Sequence, residues 1–367
     1  MTLKIESIDI YKINIPMKFP FKIALGTSYE ANNVWVRINS NKDIYGWGEG
    51  CSSLTVTGTT QSNSFDAGIL IAKNLKGKDP LALNSRMYDI DKTIVGHSQI
   101  KSAFNQALYD ILGKFTNLPL YSLLGGENHR ILTDYTLGIQ DSVDIAIEKA
   151  QQIIDWGFQA IKVKVGLNKD FDIDLIKKIR NLSNNISIRI DANQGWNLST
   201  AIEVLNKIEP YNLQYAEQPL PYWDIFNMKR LREKIKIPIC ADESVFDHHD
   251  AFKLTSLGAC DILNIKLGKS KGITTALKIN SIAESCGLKC MLGCFNESRL
   301  GLSFGAHLAS ALNNIAYVDL DSALMHKEDY VIGGIKYENG DIIIPGTPGH
   351  GADVKADFLE KLEKATI

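Results

Sequence analysis

Two periodicities divide this chain. Apolar and polar residues alternate through residues 5–15 and again in Val34-Trp35-Val36-Arg37-Ile38. Residues 39–43 supply turn chemistry before Ile44-Tyr45-Gly46-Trp47-Gly48-Glu49, so the stretch predicts antiparallel β structure. From Thr60 the pattern turns helical, with Ala103, Ala107, Leu108, Ile111 and Leu112 on one face, until Gly125-Gly126 stops it. Residues 1–125 therefore read as an α+β unit.

Beyond Gly126, short β-rich runs recur at 133–139, 160–165, 186–191, 213–217, 238–242, 261–267, 288–294 and 316–321. Amphipathic helical stretches such as 172–182, 200–208 and 272–285 lie between them. The strand markers Thr136, Lys162, Asp191, Glu217, Asp242, Lys266, Gly293 and Asp319 are spaced by 26, 29, 26, 25, 24, 27 and 26 residues. Eight strands and seven helices at this period describe an α/β barrel of the TIM type over 126–322. No eighth helix of the same kind follows. Residues 333–342 read as a hairpin, and the tail, 323–367, is expected to rejoin the N-terminal unit.

Alternation inside the strands gives the charged residues a direction. Lys162 and Lys164 share the face opposite Ile161, Val163 and Val165; Asp191 lies opposite Ile188 and Ile190; Asn264 and Lys266 lie opposite Leu263 and Ile265. Asp319 and Asp321 share a face as well. The helix-facing side of a barrel strand must be apolar, so these charges point to the axis, near the C-terminal strand ends where barrel enzymes keep their chemistry. Such burial is costly unless the charges pair or bind an ion. The ordered set therefore marks a site, although any one of the residues alone would read as a solvated loop charge.

Composition narrows the setting. Of 367 residues, 45% are hydrophobic and 22% charged, as in a globular enzyme. A formal charge of -2 offers no field for nucleic acid or an anionic membrane. No apolar run nears the roughly 20 residues of a membrane span, and the N-terminal stretch lacks the apolar segment of an export signal. A cytoplasmic protein is expected. Cys286, Cys290 and Cys294 recur every four residues without the tight pairing of metal ligands, and read as small hydrophobes rather than disulfide partners.

Asp191, Glu217 and Asp242 come from three consecutive strands and offer hard oxygen donors, which suits one Mg²⁺ with positions left for substrate. Lys164 and Lys266 lie across the barrel from each other with these carboxylates between. Lys162 and Mg²⁺ would push the Lys164 amine toward neutrality. A substrate carboxylate on the metal would place its α-carbon between two amines, one removing a proton and the other returning one to the opposite face.

Lys162-Val163-Lys164, Asp191-Ala192-Asn193, Glu217-Gln218-Pro219, Asp242-Glu243-Ser244 and Asn264-Ile265-Lys266 together resemble the motif series of the enolase superfamily, muconate-lactonising subgroup. The resemblance implies a (β/α)7β barrel with a capping domain drawn from both termini. Asp319-Leu320-Asp321 resembles the Asp-x-Asp motif of its dipeptide epimerases, which holds the substrate's ammonium group. It implies Thr136 and Lys162 as substrate contacts, Lys164 and Lys266 as the two bases, and Asp191, Glu217 and Asp242 as Mg²⁺ ligands. Cys294, ending the seventh strand, is counted among the substrate contacts. The implied reaction is epimerisation at the C-terminal residue of L-Ala-Xaa dipeptides through a metal-stabilised enediolate. Gly26 stands where relatives acting on glutamate often carry an arginine, which favours a broader range of Xaa, small or apolar. The same lysines and metal would also serve o-succinylbenzoate synthase or a cycloisomerase, but those substrates carry no ammonium for Asp319 and Asp321. A Schiff-base aldolase would not need three ordered carboxylates, and a scaffold barrel would not keep both bases and every ligand. A small-molecule dipeptide is the expected partner, and a homo-oligomer is left open.

Overall fold

A computed structural model describes residues 3–367. Met1 and Thr2, which open the N-terminal stretch read above for an export signal, lie outside the described residues. The alternating N-terminal segments form the long strands β1 (Ile5–Ile23) and β2 (Gly26–Ser40) and the shorter β3 (Tyr45–Cys51), an antiparallel meander. The helical stretch breaks into α1 (Gln61–Leu75), α2 (Leu83–Thr93) and α3 (Ser98–Thr116). One sheet face packs Ile8, Ile10, Val34, Val36 and Ile38 against Ala103, Ala107 and Ile111; the other buries Tyr11, Ile13, Trp35 and Trp47.

The Gly46-x-Gly48-x-Gly50 pattern explains how α3 sits so close to β3. A Cβ on Gly46 would stand 2.1 Å from Ala107 O, one on Gly48 1.9 Å from Ala103 O, and one on Gly50 2.7 Å from Gln99 O. Period two on the strand meets a period of four on the helix, so three glycines face three successive turns. At this distance α3 takes the place of a further strand beside β3. Gln106 accepts from Glu49 N (3.0 Å) and donates to Glu49 O (3.1 Å), while Asp110 accepts from Trp47 N (3.0 Å). The edge of β3 is thereby satisfied by helix side chains.

The repeating region forms β4 (Arg130–Leu132) and then eight parallel strands in sequential order. They are β5 (Tyr135–Leu137), β6 (Ala160–Lys164), β7 (Ser187–Asp191), β8 (Leu213–Glu217), β9 (Ile239–Ala241), β10 (Ile262–Ile265), β11 (Lys289–Leu292) and β12 (Ile315–Val318). The edges β5 and β12 meet through Asp134 N to Val318 O (3.3 Å), Leu320 N to Thr133 Oγ1 (3.0 Å) and Thr136 N to Asp321 Oδ2 (2.6 Å). Seven helices alternate with the strands, and those beginning after Ser142, Asn168, Asn197, Asp247 and Ser298 use those side chains as N-caps. Directly after β12 comes a 3-10 turn, Ser322–Met325, where an eighth barrel helix would stand. The α/β barrel with a β-rich capping unit is the architecture expected from the spacing.

The tail divides its contacts. β13 (Val331–Gly333) pairs with β16 (Ala352–Val354) over the Trp35–Trp47 face of the capping sheet. The hairpin β14 (Lys336–Glu338) and β15 (Asp341–Ile343) turns at Asn339-Gly340, both at positive φ, and pairs with β4 beneath the barrel. β17 (Lys364–Thr366) pairs with β1. Among the described residues no helix is long and apolar enough to cross a membrane. Cys290 is buried as read, but Cys286 departs from that reading: it is exposed, because the helix Ile273–Ser285 ends there before Gly287 turns the chain.

Gly48→Ala tests the close contact. Overpacking of this kind costs about 1–3 kcal/mol, so its urea midpoint should fall clearly below that of the native protein. An unchanged midpoint would show that α3 can move off β3 freely.

Candidate active site

Strand parity carries Lys162 and Lys164 to the barrel axis. Lys162 is fully buried, its Nζ 2.7 Å from Asp319 Oδ2, 2.8 Å from Glu217 Oε2 and 3.3 Å from Asp191 Oδ2. Burial disfavours its charge, yet Asp319, Glu217 and Asp191 outweigh that and raise its pKa well above the ordinary value. Lys164 Nζ donates to Asp191 Oδ2 at 2.6 Å. Burial would raise the Asp191 carboxyl, but Lys164 and Lys162 hold it below the usual range.

On the opposite side Lys266 Nζ lies 2.9 Å from Asp242 Oδ2. Lys269, wholly buried, donates to Asp242 Oδ1, to Asp242 O (2.6 Å) and to Asn264 O (3.2 Å). Burial of Asp242 is outweighed by these two lysines, which keep its carboxyl far below the usual range. Asn264 Nδ2 donates to Glu217 Oε1 at 2.8 Å. Glu217 Oε2, though ion-paired with Lys162, sits off the hydrogen-bonding angle and accepts no hydrogen bond. Burial and Asp191 push the Glu217 carboxyl up to about 7.

Oxygens of Asp191, Glu217 and Asp242 lie within 4.8 Å of one another. Three hard donors, one of them an oxygen without a hydrogen bond, fit a divalent cation such as Mg²⁺. Beside them Glu243 accepts from Asn193 Nδ2 (3.2 Å), and burial with Asp242 and Asp191 pushes its carboxyl up to about 8.

The pair after β12 is held at the barrel seam. Asp321 accepts from Thr136 N, and Asp319 from Thr136 Oγ1 (3.3 Å). Lys162 keeps Asp319 ionised against burial, whereas burial and Asp319 push Asp321 up to about 7. Cys294 Sγ lies within 4.8 Å of both carboxylates, and burial raises its thiol pKa well above the ordinary value. Below them Arg189 Nη1 donates to Asp134 Oδ2 (2.7 Å) and Val318 O (2.9 Å).

The capping unit roofs this floor. A cavity of about 840 Å³ is lined by Lys164, Asp242, Lys266 and Cys294 below and by Ile23, Leu25, Gly26, Tyr29, Leu54 and Val56 above. A Cβ on Gly26 would meet nothing within 4 Å, and Glu30 is the one charged residue of the capping unit among those lining the cavity. Lys22 lies 3.7 Å from Asp141 instead.

The structure thus gathers Lys162, Lys164, Asp191, Glu217, Asp242, Lys266, Thr136, Asp319, Asp321 and Cys294 at one barrel mouth, with Gly26 in its roof. Sequence reasoning missed Lys269, which lies in the turn after β10, and the buried role of Glu243, which follows Asp242 on the opposite parity. The spacing Lys266-x-x-Lys269 was the available signal.

Residues 5–125 match the mandelate racemase / muconate lactonizing enzyme N-terminal domain, and residues 146–358 match the enolase C-terminal domain-like family. The chain belongs to this branch of the enolase superfamily. Its relatives include a D-Ala-D/L-Ala epimerase of Cytophaga hutchinsonii, 43% identical over 99% of both chains. Another is an L-Ala-D/L-Glu epimerase of Bacillus subtilis, 38% identical over 95% of this chain and 96% of the relative. The crystal structure of a Cytophaga hutchinsonii dipeptide epimerase complexed with Mg and D-Ala-L-Val superposes with a TM-score of 0.97, at 43% identity, covering 99% of this chain and 100% of that one.

Lys269→Met removes the buried cation that balances Asp242. Breaking such a pair costs about 3–5 kcal/mol, which should appear as a lowered urea midpoint in chelator-treated protein. A native midpoint would show that Asp242 needs no such partner.

Proposed function

We propose that the protein is a Mg²⁺-dependent dipeptide epimerase, an isomerase that inverts the α-carbon of the C-terminal residue of L-Ala-Xaa dipeptides. The observation that carries this reading is the placement of two amines, Lys164 and Lys266, on opposite flanks of one carboxylate triad. Asp191, Glu217 and Asp242 would hold the ion, which when bound supplies positive charge at the substrate carboxylate. Lys164 as a free amine takes the α-proton from one face, and the C–H electron pair moves toward the carboxylate. Lys266 as an ammonium returns a proton to the other face, and the reverse reaction exchanges their roles. Lys162 keeps Asp191, Glu217 and Asp319 in place around the reacting group.

Asp321, with Asp319 beside it, takes the dipeptide's ammonium, an added positive charge that favours both carboxylates ionised. The apolar roof of Ile23, Leu25, Tyr29, Leu54 and Val56, with Gly26 leaving space, supports a broad choice of Xaa weighted to apolar side chains. Six unpaired cysteines, four of them buried, suit a reducing cytoplasm.

L-Ala-L-Xaa and D-Ala-L-Xaa series incubated with Mg²⁺ in D2O and read by mass spectrometry test the reading, with the L-Ala series expected to turn over. Chelation should abolish epimerisation and Mg²⁺ restore it. Lys164→Ala and Lys266→Ala should each lose about 10²–10⁴-fold; near-native epimerisation in either would remove that lysine from the mechanism.

Asp321→Asn should lower kcat/KM by about one to two decades, the loss of a charge-assisted contact worth about 1.5–3 kcal/mol. N-acetylated dipeptides should be poor substrates for the native enzyme, and acetylation should add little further loss in the variant. If acetylation proved harmless to the native enzyme, a lyase or cycloisomerase would take the place of the epimerase.

A further inference from the structure

One buried carboxylate of the capping unit has no part in the chemistry above. Glu49, 1% exposed, lies on β3 between Gly48 and Gly50, so its side chain points away from α3 and toward the barrel. Its Oε2 accepts from Ser298 N (3.1 Å), Ser298 Oγ (2.7 Å) and Gly301 N (2.8 Å). Its Oε1 accepts from Ser298 N (3.1 Å) and Asn33 Nδ2 (2.7 Å). Ser298 caps the helix Arg299–Ala311, so a carboxylate of the capping unit closes the electropositive end of a barrel helix.

The hold extends back along the loop after β11. Asn33 Nδ2 also donates to Asn296 O (2.9 Å), and Asn296 N donates to Cys51 Sγ (3.3 Å). Residues of β2 and β3 therefore fix both Asn296 and Ser298. Phe295, next to the pinned Asn296, lines the cavity and sets its ring 4.9 Å from Lys266 Nζ. Each base is also paired with a carboxylate from an adjacent barrel strand, Lys164 with Asp191 and Lys266 with Asp242, but the ring contact from this loop is made to Lys266.

We propose that Glu49 is a positioning residue for the Lys266 side of the reaction. It holds the loop so that the Phe295 ring, by a cation–π contact, fixes where the Lys266 amine stands. The inference rests on the two-base reading above. The site needs an acceptor on both oxygens: every hydrogen bond at the Glu49 carboxylate is donated to it, and a glutamine would turn an NH2 toward those donors. Seating of the capping unit is thus tied to the placement of one base and not the other.

The test is α-deuterium incorporation into recovered substrate, measured for each diastereomer with Mg²⁺ in D2O. Lys266→Ala first identifies the isomer whose exchange depends on Lys266. Glu49→Gln should lower exchange of that isomer by roughly 10- to 100-fold, the scale of a displaced catalytic group, and leave the other isomer near native. Glu49→Asp should recover part of the loss, and the Mg²⁺ affinity of Glu49→Gln by calorimetry should equal that of the native protein. Equal losses on both isomers, or none, would overturn the proposal and leave Glu49 a structural latch. Where Glu49→Gln fails to fold, Asn33→Ala, which removes the bond to Asn296 O but keeps those from Ser298 and Gly301 to Glu49, must show a one-sided loss in the same direction. Absence of exchange from both isomers in the native protein would instead remove the two-base reading, and this inference with it.

Discussion

Lys162 stands at the barrel axis with its amine wholly out of water, within 3.3 Å of carboxylates from β7, β8 and the end of β12. Each buried ion carries a desolvation penalty of several kcal/mol, and only close opposite charges and good geometry offset it. The arrangement therefore has one workable register. A slip of any of these strands by one residue would turn its charge toward the helices and leave Lys162 short of a partner. The apolar helix-facing residues, Ile161, Val163, Ile188 and Ile190 among them, enforce the same register from the other side.

The capping unit reaches this centre through glycine and glutamate on alternate positions of β3. Glycines let α3 approach the strand until its side chains bond the strand's edge, and this leaves Glu49 facing the barrel. A rigid α3–β3 unit then meets the helix Arg299–Ala311 at its N-terminus, where donors are available and a carboxylate is favoured. The floor of the cavity is set by strand register. The roof is set by this docking contact together with the bonds from Ile273 N to Asn105 Oδ1 (2.7 Å) and from Ile139 N to Lys22 O (2.8 Å) and with β17 and β13–β16.

Much of this was legible in the chain because barrels repeat. The spacing located all eight strands, and parity located Lys162, Lys164 and Asp191 within them and Lys266, Asp319 and Asp321 just past theirs. Asp242, Lys266, Cys294, Asp319 and Asp321 lie one to three residues past their strands, where the ladder has ended but the side chains still enter the mouth. Lys269 was hidden because it returns from a turn, and the pairing of Arg189 with Asp134 because it joins strands 55 residues apart. The turning of the hairpin at Asn339-Gly340 was readable; its pairing with β4 under the barrel was not, since nothing local to residues 336–343 specifies a partner.

The charge balance of the mouth ties the metal to the substrate. Buried there are four lysines, 162, 164, 266 and 269, and six carboxylates, 191, 217, 242, 243, 319 and 321, a formal surplus of two negative charges. The crowding shows in the carboxyls: Glu217, which shares Lys162 with Asp191 and Asp319, and Asp321 are pushed up to about 7 and Glu243 to about 8, while Asp191, Asp242 and Asp319 stay low. A bound dication would cancel that surplus, and Glu217, whose Oε2 accepts no hydrogen bond, would be one of the residues that hold it. A dipeptide, carrying one carboxylate and one ammonium, then adds no net charge. Its two ends suit the two ends of the site, the triad of β7, β8 and β9 and the aspartates after β12. The distance between those ends is set by the barrel, so in the proposed reaction the group between the two lysines would be the carbon next to the substrate's carboxylate.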